Sequence, residues 1–446
     1  MKMFKKLLAL GLTSALCLGA FAGCGGSGQD TAKPDDAATS TEESADADTT
    51  EAEDASDDGA EDTSDEAEDT ATEGSDVVAG LICLHDENST YDLNFINAFR
   101  EACEEQGLVE GETYFISTGI PEGQECYEEA LNMVDRGCNF VFADSFGHED
   151  YMIQAATENP DVQFCHATGT KAHNANLPNY HNAFASIYMG RYLAGVAAGM
   201  KLNEMIEAGE FTEDEAKMGY VGAFTYAEVI SGYTSFFLGA RSVCPSVTMD
   251  VTFTGSWYDE TKEKEGAQAL IEGGCKLISQ HADSMGAPTA CENAGVPNIS
   301  YNGSTMDACP KTFIVSSRIN WAPYFNYVID SIKNGEAIDA DYTGTLDTDS
   351  VQLTDINEDV AAEGTADAIE ELKSSLNDGS VQVFDTANFT VEGKTLDSYM
   401  ADVDTDPDYE GDTEAITDGV FHESEFRSAP YFDLQIDGIN LLDTAF

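Results

Sequence analysis

The chain has 446 residues, with 20 Lys+Arg against 84 Asp+Glu and a formal net charge of −64. That length suits two or three domains, each with its own core. The charge excludes a nucleic-acid binder, which needs clustered Lys and Arg to grip phosphates, and it disfavours anionic membrane surfaces. At 42% hydrophobic the chain is not disordered throughout. Leu7 to Ala22 is the one stretch apolar enough to enter a membrane, which excludes a polytopic transporter.

Residues 1–23 combine a basic start (Lys2, Lys5, Lys6), an apolar run and small residues, the pattern of a secretory signal. The junction Phe21-Ala22-Gly23-Cys24 resembles a bacterial lipobox, with Phe21 in place of the usual Leu. Cys24 is therefore expected to carry lipid and to hold the protein on the extracytoplasmic face of the cell membrane. Residues 24–75 are expected to form an acidic, disordered linker behind that anchor. From residue 29 they contain no aromatic residue and a single basic one, Lys33. Such a segment cannot bury enough apolar surface to offset its chain entropy.

Of the 11 cysteines, Cys17 leaves with the signal, Cys24 carries lipid, and nine remain in the body with no C-x-x-C pair. Most sit in apolar runs such as Leu81-Ile82-Cys83-Leu84, where a cysteine serves as a small buried hydrophobe. No ligand spacing supports a metal site, and no cofactor is expected.

From residue 76 the chain alternates apolar runs with helical patterns. Strands are expected at Asp76 to Leu84, Thr113 to Ser117 and Asn139 to Ala143. Helices are expected at Asn94 to Gln106 and Cys126 to Arg136. This order predicts a parallel sheet with helices on both faces. A second copy follows. The stretch from Glu129 to Ala143-Asp144-Ser145 matches Gly266 to Ala282-Asp283-Ser284, and Met218 to Phe224 corresponds to the opening strand near Gly80. Two doubly wound lobes with their carboxyl strand ends facing would enclose a ligand cleft.

Strand-end loops are where polar groups converge on a ligand. The first offers Asp86, Asn88 and Tyr91, and the third Asp144, Ser145 and Phe146. The second copy offers Phe224, Trp257, Asp283 and Asn302. Carboxylates beside aromatics suit a flat polar molecule, with rings sandwiching it and Asp or Asn reading its hydroxyls and edges. Core packing competes for each ring and helix N-capping for each Asp. There is no G-x-S-x-G, P-loop or H-E-x-x-H, and an enzyme is not expected.

The blocks Phe142-Ala143-Asp144-Ser145-Phe146-Gly147, Ser256-Trp257-Tyr258-Asp259, His281-Ala282-Asp283-Ser284 and Asn320-Trp321-Ala322-Pro323-Tyr324 carry a resemblance over about residues 78–335. The chain resembles the basic membrane protein family of lipid-anchored substrate-binding proteins, the purine nucleoside receptor group of ABC importers. The resemblance implies an α/β type I periplasmic-binding fold, with two doubly wound parallel-sheet lobes joined by a hinge. It adds Trp321, near the chain crossing between lobes, to the candidate ligand contacts. It implies an N-terminal lobe of residues 76–183 plus about 318–335 and a C-terminal lobe of 184–317 plus about 336–385. Residues 386–446 would form an extension of unassigned role packed on the body. The usual first-loop Asp-Ser-Phe-Asn is replaced by Asp86-Glu87-Asn88-Ser89-Thr90-Tyr91, and Tyr301-Asn302 stands where an Asp is common.

The expected function is capture of a small polar ligand, a purine nucleoside or base, by cleft closure, and its delivery to a membrane permease. The receptor is expected to be monomeric. A surface-tethered nucleoside-processing enzyme and a ligand-sensing receptor for a membrane kinase are the alternatives.

Overall fold

The computed structural model describes residues 76–403, 411 and 413–443. The expected signal segment, Cys24 and the acidic linker lie outside the described residues.

The first lobe is built from β1 (Ala79–Ile82), α1 (Thr90–Glu105), β2 (Tyr114–Ser117), α2 (Gln124–Asp135), β3 (Phe140–Ala143), α3 (Glu149–Glu158), β4 (Gln163–Ala167), α4 (Ala172–Ala175) and β5 (Tyr180–Ala185). Helix α5 (Ile187–Glu207) leads to the second lobe. There follow β6 (Lys217–Gly222), α6 (Ala227–Val243), β7 (Thr248–Phe253), α7 (Glu260–Glu272), β8 (Leu277–Gln280), α8 (Gly286–Ala294), β9 (Asn298–Tyr301) and β10 (Phe313–Ile319). The chain then crosses back through α9 (Ala322–Asn334) to β11 (Asp341–Gly344), and again to β12 (Val351–Leu353) and α10 (Thr365–Asn377). Two small hairpins follow: β13 (Met400–Ala401) with β14 (Thr413–Glu414), and β15 (Ile416–Thr417) with β16 (Val420–Phe421). The last strand is β17 (Ile439–Leu441).

One sheet has the order β11-β5-β4-β3-β1-β2 and the other β12-β10-β9-β8-β6-β7-β17. Within each, the first five strands of the copy are parallel and ordered 2-1-3-4-5. The order reverses between β1 and β3 and between β6 and β8, so the helices on either side diverge and leave a crevice at the carboxyl ends. The register pairs Ile82 with Ala143 and Val221 with Gln280. It thereby brings the residues that follow each strand to one edge. β1 and β3 are buried along their whole length, as their continuous apolar runs predict.

The repeat extends to backbone strain. Thr168 after β4 and Asn302 after β9 are both non-glycine residues in the left-handed region, at φ 63° and 66°. Both precede a glycine at corresponding strand ends.

The crossing segments divide differently from the expected boundaries. β11, at Asp341–Gly344, pairs in parallel with β5 of the first lobe, and the carboxyl-terminal β17 pairs in parallel with β7 of the second. The extension therefore supplies a sheet strand. Helix α9 returns to the first lobe and packs on α1, where Gln106 Nε2 donates to Asn326 Oδ1 at 2.9 Å.

Helices α5 and α6 approach backbone to backbone. A Cβ at Gly195 would lie 2.0 Å from the Phe236 carbonyl oxygen, and one at Gly239 would lie 2.1 Å from that of Tyr192. Only glycine permits this approach, and it lets Arg191 of α5 reach the ends of β8 and β9.

All nine body cysteines are buried free thiols. Burial pushes Cys103, Cys138, Cys165, Cys275 and Cys291 each up to about 12. They are inert packing residues at neutral pH.

Candidate ligand-binding site

A narrow cavity lies between the carboxyl ends of the two sheets: a water-sized sphere has about 20 Å³ to move in, and about 370 Å³ is free of protein atoms when the solvent at its mouth is counted. Leu84 and His85 reach it from the end of β1, Ser145 and Phe146 from β3, and Thr168 from β4. Trp257 follows β7, His281 and Asp283 follow β8, and Glu228 stands in the first turn of α6. Both topological switch points therefore open onto one space.

The first loop is shorter than the sequence suggests. Ser89 caps α1, its hydroxyl accepting from the Asp92 amide at 3.2 Å, so the helix starts at Thr90 rather than near Asn94. Tyr91 and Asp92 thus project from a helical turn into the cavity wall. The Tyr91 hydroxyl donates to the Asp144 carbonyl at 2.7 Å. Asp86 and Asn88 remain outside on an exposed turn, where the Asn88 amide donates to Asp86 Oδ1 at 3.0 Å. They border a shallower depression with Thr118 and Tyr258.

The matching carboxylates Asp144 and Asp283 have different surroundings. Asp144 is wholly buried beneath the cavity. Its Oδ1 accepts from the Leu84 amide at 3.1 Å and its Oδ2 has no partner. Burial, and then the neighbouring Asp92, push it well above the usual carboxylate range. Burial also acts to raise Asp92, but hydrogen bonds from His85 and Ser89 outweigh it and hold Asp92 below its ordinary value. Asp283 lines the cavity, and its carboxyl oxygens make no hydrogen bond to the described residues. Burial and then Asp92, Glu263 and Glu228 raise it strongly.

The rings gather on one wall. Phe146 of the first lobe meets Tyr226 of the second, with centroids 5.2 Å apart. Tyr226 stacks on Phe224 at 5.2 Å and 13°, and Phe224 meets Trp257 edge-on at 4.9 Å. Phe224 supports this wall from behind. Trp321 is elsewhere: it is 2% exposed and stacks on Phe95 at 4.4 Å within the first lobe's aromatic core. Asn302 is buried, with its amide nitrogen unpartnered, and does not line the cavity. Ser145 does line it, while its hydroxyl donates to Glu122 Oε1 at 2.6 Å.

Under the opposite wall runs a charged relay. Fully buried Arg191 lies 3.8 Å over the Tyr301 ring and donates from Nη2 to His281 Nδ1 at 3.1 Å. His281 Nε2 donates to Glu228 Oε1 at 3.2 Å. This geometry is satisfied by a neutral imidazole with its proton on Nε2, and burial lowers the His281 pKa in keeping with it. Arg191, Glu228, His85, Asp92 and Thr168 were not among the residues picked from sequence. Glu228 and His281 lie 53 residues apart, and no local pattern marks them as partners.

The wall set is rich in acceptors (Asp92, Glu228, Asp283) and poor in exposed cations. It suits a ligand that donates hydrogen bonds and presents a flat or apolar face.

Residues 84–383 match the family described as ABC transporter substrate-binding protein, PnrA-like. The chain belongs to this family. It is 32% identical over 214 residues to a purine-binding protein of Brucella abortus (strain 2308), a match covering 48% of this chain and 57% of that one. It is 31% identical over 252 residues to a Haloferax volcanii protein provisionally named an ABC transporter glucose-binding protein, covering 56% of this chain and 60% of that one. The matches thus span less than two thirds of either relative. Two solved solute-binding proteins of ABC transporter systems share the fold. The one from Conexibacter woesei superposes with a TM-score of 0.56 at 20% identity, over 69% of this chain and 98% of that one. The one from Aeropyrum pernix K1 gives 0.56 at 16% identity, over 75% and 95%. The architecture is the type I periplasmic-binding fold that the sequence blocks imply. Among the described residues no helix is long and apolar enough to cross a membrane.

Proposed function

We propose that this PnrA-like chain is the extracytoplasmic receptor of an ABC importer, and that its interlobe cavity takes a purine nucleoside or purine base. The observation that carries the reading is that Phe146, Trp257 and the Asp283 carboxyl line one interlobe cavity, with Tyr226 bridging the two rings at its exposed rim. A purine offers a face for the rings and exocyclic or ribose donors for the carboxylates. Binding between the lobes holds them closed, and the closed form is what a permease would recognise. The protein would act as a monomer, tethered through lipid on Cys24, with the acidic segment as spacer. Fractionation of cells expressing a Cys24→Ser chain tests the tether, since that variant should leave the membrane.

A hexose is the second reading. The Haloferax volcanii relative's name favours it, and several carboxylates on one wall also suit sugar hydroxyls. Calorimetric titration with purine nucleosides, purine bases and hexoses separates the two. A ligand at a hundred times its Kd should stabilise the fold by about 2.7 kcal/mol. Binding of hexoses with no response to purines overturns the first reading. Recovery of intact nucleoside after prolonged incubation distinguishes capture from processing.

A further inference from the structure

The family match ends at residue 383, yet the segment beyond it is built into the body. Phe432 stacks on Phe384 at 4.3 Å, and β17 joins the second lobe's sheet. Ser424 Oγ lies 3.1 Å from Ser186 Oγ, and the Ser428 amide donates to Asp341 Oδ2 at 3.0 Å. The extension thus grips both lobes beside the cleft. There it walls a second cavity, with about 940 Å³ of space free of protein atoms and open to solvent. Phe146, Thr168 and Glu228 line this cavity and the interlobe cavity alike, so the two are contiguous at the Phe146–Tyr226 contact.

We infer that the C-terminal extension supplies a second compartment of the ligand site, which receives an uncharged or cationic hydrogen-bond-donating substituent and rejects an anionic one. This rests on the interlobe cavity being the ligand site. The compartment presents Glu228 from the second lobe and Asp402 and Asp433 from the extension. Its one guanidinium, Arg427, is 93% buried and spends its N–H groups on the extension's own carbonyls: Nε to Ala429 at 3.0 Å, Nη1 to Val403 at 2.7 Å and Nη2 to Pro430 at 3.0 Å. Arg427 therefore shapes the loop more than it offers an anion site. The Tyr399 hydroxyl donates to Asp433 Oδ1 at 2.5 Å, which fixes that carboxylate at the rim. Three carboxylates against one buried guanidinium, whose nearest opposing charge is Asp402, leave the compartment net negative, so it attracts donors and repels phosphate or carboxylate groups.

Titration of the full chain with adenosine, and with adenosine carrying a short amine or an equally long carboxylate at the 5′ carbon or at N6, tests this. At one of the two positions the amine should bind within twofold of adenosine and the carboxylate at least tenfold more weakly. In an Asp402→Asn/Asp433→Asn chain, adenosine should keep its Kd within twofold while the carboxylate's handicap shrinks at least threefold. A carboxylate tolerated at both positions, or a variant that shifts every probe alike, overturns the proposal. If adenosine does not bind, the purine reading fails, and the same comparison is made with glucose, glucosamine and glucuronate. Absence of binding in both series overturns the compartment together with the site it extends.

Discussion

The Thr90 amide donates to the Asp283 carbonyl oxygen at 2.9 Å, and the Thr90 hydroxyl donates to the same oxygen at 3.2 Å. The two residues are 193 positions apart, one at the start of α1 in the first lobe and the other beyond β8 in the second. This is a direct latch between lobes at the rim of the cavity. It couples a residue of the cavity wall to the helix that carries Tyr91 and Asp92.

Thr90→Val keeps the backbone half of the latch and removes the hydroxyl. A neutral hydrogen bond of this kind contributes about 0.5–1.5 kcal/mol, so closure should loosen by that amount. The effect belongs in the dissociation rate, which should rise about twofold to tenfold in stopped-flow measurements. An unchanged rate would show that the hydroxyl does not hold the closed form.

Asp283→Asn replaces a carboxyl that burial and the neighbouring carboxylates hold toward its neutral form. Affinity should fall by about 0.5–1.5 kcal/mol, the worth of a neutral hydrogen bond. The unliganded melting temperature at pH 7 should hold or rise, because the folded state disfavours the ionised carboxyl. Lost stability with intact affinity would make Asp283 a structural residue.

The two tryptophans provide separate reporters. Trp257 lines the cavity, so Trp257→Phe should remove most of the ligand-dependent fluorescence change with a modest loss of affinity. Trp321 is packed against Phe95, Phe142 and Phe184. Trp321→Phe should cost on the order of 1–2 kcal/mol of stability by leaving a void, and should keep the ligand signal. A signal carried by Trp321 alone would move the site away from this wall.

Glu423 gives the fold a pH dependence. It is buried between lobes and extension, with Ser231 donating to Oε1 and with Oε2 unpartnered. Burial raises its pKa from 4.5 to about 7. The folded state therefore holds a proton that the unfolded chain has released. The stability this lends is complete below about pH 4.5 and is lost as the pH rises through about 7. Glu423→Gln should raise the melting temperature at pH 8, by an amount worth about 3 kcal/mol, and change little at pH 4. Parallel melting curves for variant and parent across that range would contradict the assignment.

Much of the fold is legible in the residues. Apolar runs such as Phe140 to Ala143 and Ala79 to Ile82 require burial on both faces, which parallel strands between helix layers provide. The helix boundary at Ser89 was less visible. A capping serine inside the polar run from His85 to Asn94 signals a helix only once its side chain is seen to accept from the Asp92 amide.

The sequence alone determined the alternation of strands and helices, the internal repeat and the acidic character, because these depend on local periodicity and charge. It also placed Ala-Asp-Ser after corresponding strands of both copies. Only the tertiary structure decided which carboxyl lines the interlobe cavity. β3 ends at Ala143, directly before Asp144, whereas β8 ends at Gln280, and His281 and Ala282 intervene before Asp283. The shorter connection holds Asp144 under Tyr91, where burial favours its neutral form. The longer one carries Asp283 out to the opposite lobe. The partners that complete the cavity (Glu228, His85, Thr168 and the deeply set Arg191) come from distant elements. Their convergence follows from two sheets meeting at their carboxyl ends and from the glycine-mediated approach of α5 to α6, neither of which a local pattern can encode.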